Sequence, residues 1–138
     1  MNFLEGQKFI KQKEYGKALN IFLKLQKNET KNKAIYFYLG LIYSELNNFR
    51  KSILNYNKYL KTAPDSKSAL FNLAIAKQSI GEINSAKDIY LELIHLERNN
   101  IRSYFALSML DIKFLTDKHY KYITEIEKNN KISLYEKS

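Results

Sequence analysis

Few residues in this sequence have the types and spacing that chemistry would require. His95 has Glu92 and Glu97 nearby, and the other histidine of the chain is His119. A zinc site needs a further ligand at a spacing such as H-E-x-x-H, and the sequence has none, nor a Gly-rich phosphate loop. The absence of cysteine excludes disulfides, thiolate nucleophiles and cysteine-based zinc sites. We therefore expect no enzyme, no cofactor and no metal site.

The strongest pattern is a set of columns repeated every 34 residues. One column is small, and it reads Gly6, Gly40, Ala74 and Ser108. A second small column reads Ala18, Ser52 and Ala86, and the aromatic four residues later reads Phe22, Tyr56 and Tyr90. Two antiparallel helices approach closely only where a side chain is nearly absent, so these columns predict tightly packed helix pairs.

The clearest copy lies between Lys33 and Pro64. It carries Tyr36, Leu39-Gly40, Tyr43, Ser52, Tyr56 and Pro64 at the offsets W-x₂-L-G-x₂-Y…A-x₃-F…P, with Tyr for Trp and Ser for Ala. The chain therefore resembles the tetratricopeptide-repeat family. The resemblance implies an all-α, right-handed α-solenoid of about four helix–turn–helix repeats, at about 1–32, 33–66, 67–100 and 101–130. Residues 1–130 would form one solenoid, and residues 131–138 a tail or a short capping helix.

One Pro and four Gly in the whole chain favour long helices joined by short turns. The predicted helices are about 2–13, 15–27, 33–46, 49–61, 67–80, 83–97, 101 to 114 or 115, and 117–129. Asn2 with Glu5 is spaced like a capping box, Asp65 or Ser66 can cap the fifth helix, and Gly81 lies at a turn. The last helix departs from the pattern, because Tyr120 or His119 occupies its small column, which suits a terminal cap.

A further column repeats phenylalanine four times, at Phe3, Phe37, Phe71 and Phe105. In the family that this chain resembles, the column points into the concave groove. Its neighbours one turn on are Gln7, Leu41, Ile75 and Met109, which extend it into an apolar stripe of the kind that solenoids use to hold ligands. The alternative is that the phenylalanines are partly buried and stack adjacent first helices. We favour the stripe, because other columns already meet the packing needs.

A known binding mode of the family is a clamp of Lys, Arg and Asn that grips the C-terminal carboxylate of a peptide. Only Asn72 and Arg102 match this clamp. Its first Lys and Asn are replaced by Phe37 and Leu41, or by Phe3 and Gln7 in the other possible frame. We therefore predict an apolar, helical or extended protein segment in the groove. The predicted groove residues are Phe3, Phe37, Leu41, Phe71, Asn72, Ile75, Arg102, Phe105 and Met109.

The function that these features predict is a protein-interaction module, either a scaffold or adaptor or a chaperone-like holder. The net charge of +9 leaves open the binding of an anionic surface, nucleic acid or lipid head groups, through the Lys8–Lys33 end. Nucleic acid is disfavoured, because 20 of the 23 basic residues are Lys and no nucleic-acid motif is present. Self-association through the groove, for example by Leu134 and Tyr135 of the tail, is a third possibility.

No apolar run is long enough for a signal-peptide core or a membrane span. We therefore expect a cytoplasmic protein.

Overall fold

A computed structural model describes residues 2–29 and 31–110, together with residues 124, 125 and 128. This part of the chain contains helices and no strand, which confirms the all-α prediction. The helices are α1 (Phe3–Lys11), α2 (Tyr15–Asn28), α3 (Ala34–Glu45), α4 (Phe49–Leu60), α5 (Lys67–Ser79), α6 (Ile83–Leu96) and α7 (Ile101–Leu110). None of the described helices is long and apolar enough to cross a lipid bilayer.

Every helix from α1 to α6 begins and ends within two residues of its predicted bounds. The predicted extension of α7 to Phe114 or Leu115 lies outside the described residues, as does the tail 131–138. The same holds for the predicted helix 117–129, apart from residues 124, 125 and 128, which are helical and exposed.

Side chains cap the helix starts where the sequence places short polar residues. Asn2 accepts a hydrogen bond from the backbone N–H of Glu5 at 2.8 Å, and Ser66 accepts one from Ala69 at 3.4 Å. Asn48 caps α4 in the same way, accepting from Lys51 at 3.3 Å. Each cap satisfies one of the backbone donors that a helix start leaves without an intrahelical partner. The caps predicted at Asn2 and Ser66 are confirmed.

The helix ends repeat a left-handed residue every 34 positions. Lys13, Asn47 and Gly81 have φ of 59°, 61° and 87°, and each is the residue after the C-cap of α1, α3 or α5. At each end two backbone bonds close a Schellman motif, as in Lys13 N–H to Ile10 O and Glu14 N–H to Phe9 O. Gly accepts this conformation without cost and Asn tolerates it, but Lys carries a steric penalty.

The variant Lys13→Gly should therefore stabilise the protein by about 1 kcal/mol, because glycine removes the clash of the Cβ in this conformation. Asn47→Gly should give a smaller gain, since asparagine already tolerates the left-handed region. Denaturant unfolding of both variants would measure the difference. Equal effects at the two positions would contradict the account.

The described helices divide into two units, residues 1–82 with α1 to α5 and residues 83–138 with α6 and α7. In the first unit, each helix packs on the next one along the chain. A core between the first two helix pairs is formed by the buried residues Ala18, Ile21, Phe22, Leu25, Ile35, Leu39, Ile42 and Tyr43. In the second unit α6 packs on α7, with Tyr90, Leu93, Tyr104 and Leu107 buried.

The helix pairs close over glycine, as the small columns predict. A Cβ on Gly40 would lie 2.9 Å from the ring of Tyr56, and one on Gly6 would lie 2.7 Å from the ring of Phe22. The small column of the second helices is fully buried, and Ser52 donates its hydroxyl to the carbonyl of Gly40 at 2.7 Å. This bond satisfies a polar group that would otherwise be costly to bury.

One member of the glycine column behaves differently. Ser108 is exposed, and its hydroxyl bonds to the carbonyl of Phe105 within its own helix at 2.7 Å. The helix predicted to pack against this position, 117–129, lies outside the described residues apart from 124, 125 and 128, so the close contact at Ser108 stays a prediction.

The variant Gly40→Ala should destabilise the protein by about 1–3 kcal/mol, because the fully buried Tyr56 ring has no room to move. Gly16, in the first turn of α2, is the matched control, because a Cβ added there would meet nothing within 4 Å. Gly16→Ala should instead stabilise by about 0.4–1 kcal/mol through the lower entropy of the unfolded chain. Thermal or denaturant unfolding that showed the same sign for both variants would refute the close-contact account.

Candidate partner-binding surface

The phenylalanine column of the first unit is built into the packing. Phe3 makes edge-to-face contacts with Phe22 at 5.4 Å and with Tyr38 at 5.1 Å between ring centroids. Tyr38 itself stacks on Phe22 at 5.2 Å, with the rings 9° from parallel. Such pairs stabilise beyond the area that the rings bury, so Phe3 joins the first repeat to α3.

Phe37 is packed in an equivalent way by its own repeat. Its ring lies 5.8 Å from Tyr56 and 5.3 Å from Tyr59, both on α4, and Phe71 is half-buried as well. The premise that no packing requirement explains this column is therefore wrong for Phe3 and Phe37. Large aromatic side chains at Tyr38 and Tyr59 reach these rings, which a count of columns does not reveal. Partner binding by the column stays a prediction.

A polar contact that the sequence analysis missed also links α1 to α3. The side-chain amide of Gln7 donates a hydrogen bond to the hydroxyl oxygen of Tyr38 at 2.8 Å. The sequence pattern places Gln7 in the groove, one turn from Phe3, and its amide here serves contact between helices. The sequence does offer a signal for this contact. Gln7 is the only amide in its 34-residue column, and Tyr38 is the only tyrosine in its own column.

The predicted groove residues of the first unit other than Phe3 and Phe37 lie on α3 and α5, which contact each other. Ile75 on α5 is 39% exposed. Leu41 on α3 and Phe71 and Asn72 on α5 are half-buried. An exposed isoleucine beside half-buried apolar side chains and an amide is suited to a protein segment, since the amide can bond to its backbone.

In the second unit, α7 carries the other predicted residues on one helical face. Arg102 is exposed, Phe105 is 52% exposed and Met109 is 83% exposed. Their spacing of three and four residues places them on neighbouring turns of the same face. Phenylalanine, methionine and arginine are types enriched in protein interfaces.

His95, for which the sequence predicts no catalytic or metal-binding role, is exposed on α6. Among the described residues, no group of three or more His, Asp or Glu side chains is arranged to hold a metal ion.

Comparison with known proteins agrees with this geometry. The tetratricopeptide-repeat family model matches residues 34–66, the same copy that shows the motif most clearly. The first such domain of Spaghetti (RPAP3), solved with a peptide of HSP90, has a TM-score of 0.71 and 21% identity, covering 77% of this chain and 84% of that one. Residues 34–66 form a tetratricopeptide repeat, and the chain has the tetratricopeptide-repeat fold. The predicted fold class, an α-solenoid of tetratricopeptide repeats, is confirmed.

Two further proteins are similar to this chain. MamA from Desulfovibrio magneticus RS-1 has a TM-score of 0.78 and 14% identity, covering 91% of this chain and 72% of that one. Human protein O-mannosyl-transferase TMTC3 is 30% identical over 109 residues. That match covers 76% of this chain but only 12% of the transferase.

Tyr56 carries an unusual polar group in the core of its repeat. Its hydroxyl is buried and has no hydrogen-bond partner, and burial raises the pKa of Tyr56 above the usual tyrosine value. The nearby Asn72 side chain opposes that rise but does not reach hydrogen-bonding geometry. A desolvated hydroxyl without a partner lowers stability.

We therefore expect Tyr56→Phe to raise the free energy of unfolding by roughly 1 kcal/mol, since the ring packing is kept and the desolvated hydroxyl is removed. The control is Tyr38→Phe, which deletes the acceptor of the Gln7 amide and should cost about 0.5–1.5 kcal/mol. Urea unfolding of both variants measures the two signs. A loss of stability in Tyr56→Phe would show that its hydroxyl has a stabilising partner.

Proposed function

We propose that this tetratricopeptide-repeat protein is a non-enzymatic interaction module, a scaffold, adaptor or chaperone-like holder. It binds an apolar, helical or extended segment of a protein partner across α3 and α5. The observation that carries the proposal is the exposed Ile75 beside the half-buried Leu41 and Phe71 on two helices that touch.

The chemistry of this surface favours an apolar segment. Leu41, Phe71 and Ile75 offer aliphatic and aromatic contacts, and the amide of Asn72 can give and accept bonds along a peptide backbone. Helix α3 contains no lysine or arginine, and the lysines of α5 lie in its first and last turns. A segment rich in carboxylates would therefore lose water at the centre of the surface without gaining a partner charge.

Two solved relatives support the general mode of binding. The RPAP3 domains were solved with the HSP90 peptide SRMEEVD and the HSP70 peptide SGPTIEEVD, so this fold accommodates short peptide segments. In our chain, Phe37 and Leu41 replace the clamp residues that such acidic tails would need. On α7, the face of Arg102, Phe105 and Met109 offers a similar apolar surface, which we propose as a further contact for protein segments.

The test replaces an exposed apolar residue and leaves the packed phenylalanines alone, because Phe37→Glu would disturb the contacts with Tyr56 and Tyr59. Ile75→Glu places a charge on the proposed surface. Leu46→Glu is the matched control, since Leu46 is 43% exposed and is the C-cap residue of α3, outside the proposed surface.

The two variants and the wild type are compared by partner capture from a cell lysate and mass spectrometry. The affinity of each for the recovered partner is then measured. Ile75→Glu should weaken binding by about tenfold or more, because it removes an apolar contact and places an unpaired carboxylate in the interface. Leu46→Glu should bind like the wild type. If Ile75→Glu retains full affinity while its helicity is unchanged, the surface is not the binding site.

A synthetic acidic peptide, SRMEEVD, tests the chemistry directly by fluorescence anisotropy. We expect no saturable binding to the wild type. Tight binding of this peptide would replace the apolar segment with an acidic one as the ligand class.

A further inference from the structure

A second set of residues repeats with the 34-residue period and has no role in the core. Lysines occupy the same three positions in the second helix of each of the first two repeats. They are Lys17, Lys24 and Lys27 on α2, and Lys51, Lys58 and Lys61 on α4 and its C-cap. All six are exposed. We call these two rows the lysine ladder.

Each row of the lysine ladder lies along one face of its helix. Steps of seven and three residues keep the three side chains within roughly 80° around the axis and spread them over about 15 Å. On α4 the same face also carries Leu54, which is 54% exposed and lies between Lys51 and Lys58. The two rows belong to neighbouring repeats, because α2 and α4 both pack on α3.

The charge of this face is of one sign. Within α2 and α4 there are six basic residues, the sixth being Arg50, and no acidic residue. Lys17 pairs with Glu14, which precedes α2. A face with this many cations and so few carboxylates attracts an anionic partner and is repelled by another basic surface.

Aromatic rings hold several of these lysines in place. The ammonium of Lys51 lies 5.4 Å from the ring centre of Tyr43, and its equivalent Lys17 lies 5.5 Å from Phe9. Lys58 lies 5.5 Å from Tyr36. A lysine side chain that already lies against an aromatic ring is partly ordered. It therefore loses less conformational entropy when its ammonium group contacts a partner.

The fold does not require the lysines. In the third repeat the equivalent positions are Ser85, Glu92 and His95, although α6 is formed there in the same way. The helix pair therefore tolerates other side chains at these positions, so the packing of the helices does not account for the two matching rows.

We propose that the lysine ladder docks the protein on a membrane surface rich in anionic lipids. Lysines near such a surface each add to the attraction, and an apolar side chain such as Leu54 can enter the head-group region between them. Single-stranded nucleic acid fits less well, because its bases need open aromatic faces for stacking and Tyr36 and Tyr43 are occupied by lysines. The ladder also contains no arginine to make bidentate phosphate bonds.

Vesicle co-sedimentation tests the proposal, with phosphatidylcholine alone compared with phosphatidylcholine mixed with phosphatidylserine. The wild type should bind only the anionic vesicles, and added salt should release it. Lys51→Glu/Lys58→Glu should weaken binding at least about tenfold. Lys51→Gln/Lys58→Gln keeps long side chains without reversing charge, and it should show a smaller loss if folding is intact by circular dichroism.

The matched control is Lys8→Glu/Lys11→Glu, which changes the net charge equally on α1, outside the ladder. It should retain more binding than the α4 variant. Leu54→Trp supplies the single tryptophan of a chain that has none, and its fluorescence should shift to the blue on anionic vesicles.

Three results would overturn the proposal: no binding to anionic vesicles, equal losses in the α1 and α4 variants, or binding of single-stranded RNA without binding of vesicles. Failure of the α3–α5 surface to bind a partner would leave this result unaffected, because Ile75→Glu and the ladder variants lie on different helices.

Discussion

The contact between a glycine on one helix and an aromatic ring on the next is the constraint on which the rest of the structure depends. Gly6 meets Phe22 and Gly40 meets Tyr56 at distances that exclude even a methyl group. This approach fixes the spacing of each helix pair. Ser52 shows how tightly the pair is closed, because a hydroxyl is accepted there only with a bond to the opposite backbone.

The phenylalanine column takes part in core packing and also lies in the proposed binding surface. Phe3 and Tyr38 join α1 to α3, and Phe37 lies against α4, while the proposed surface around Ile75 includes Phe71 of the same column. A partner on that surface would touch side chains whose positions are set by the core. Little ordering of side chains is then needed on binding, which favours affinity for a ligand of matching shape.

Much of this fold could be predicted from the sequence, because a 34-residue period indicates which residues face a neighbouring helix. The bounds of α1 to α6 and the buried columns at Ala18, Phe22 and Tyr56 follow from that period. The period does not state how far a side chain from the next repeat reaches, so the packing of Phe3 and Phe37 was missed. Nor does it reveal backbone conformation where lysine stands in place of glycine, as at Lys13.

The three left-handed turns share one geometry but differ in how well their residues accept it. The series runs from lysine through asparagine to glycine, so the cost of the conformation falls along the chain. The turn between α1 and α2 therefore carries the largest backbone cost of the three, and a substitution at Lys13 has more stability to recover than one at Asn47 or Gly81.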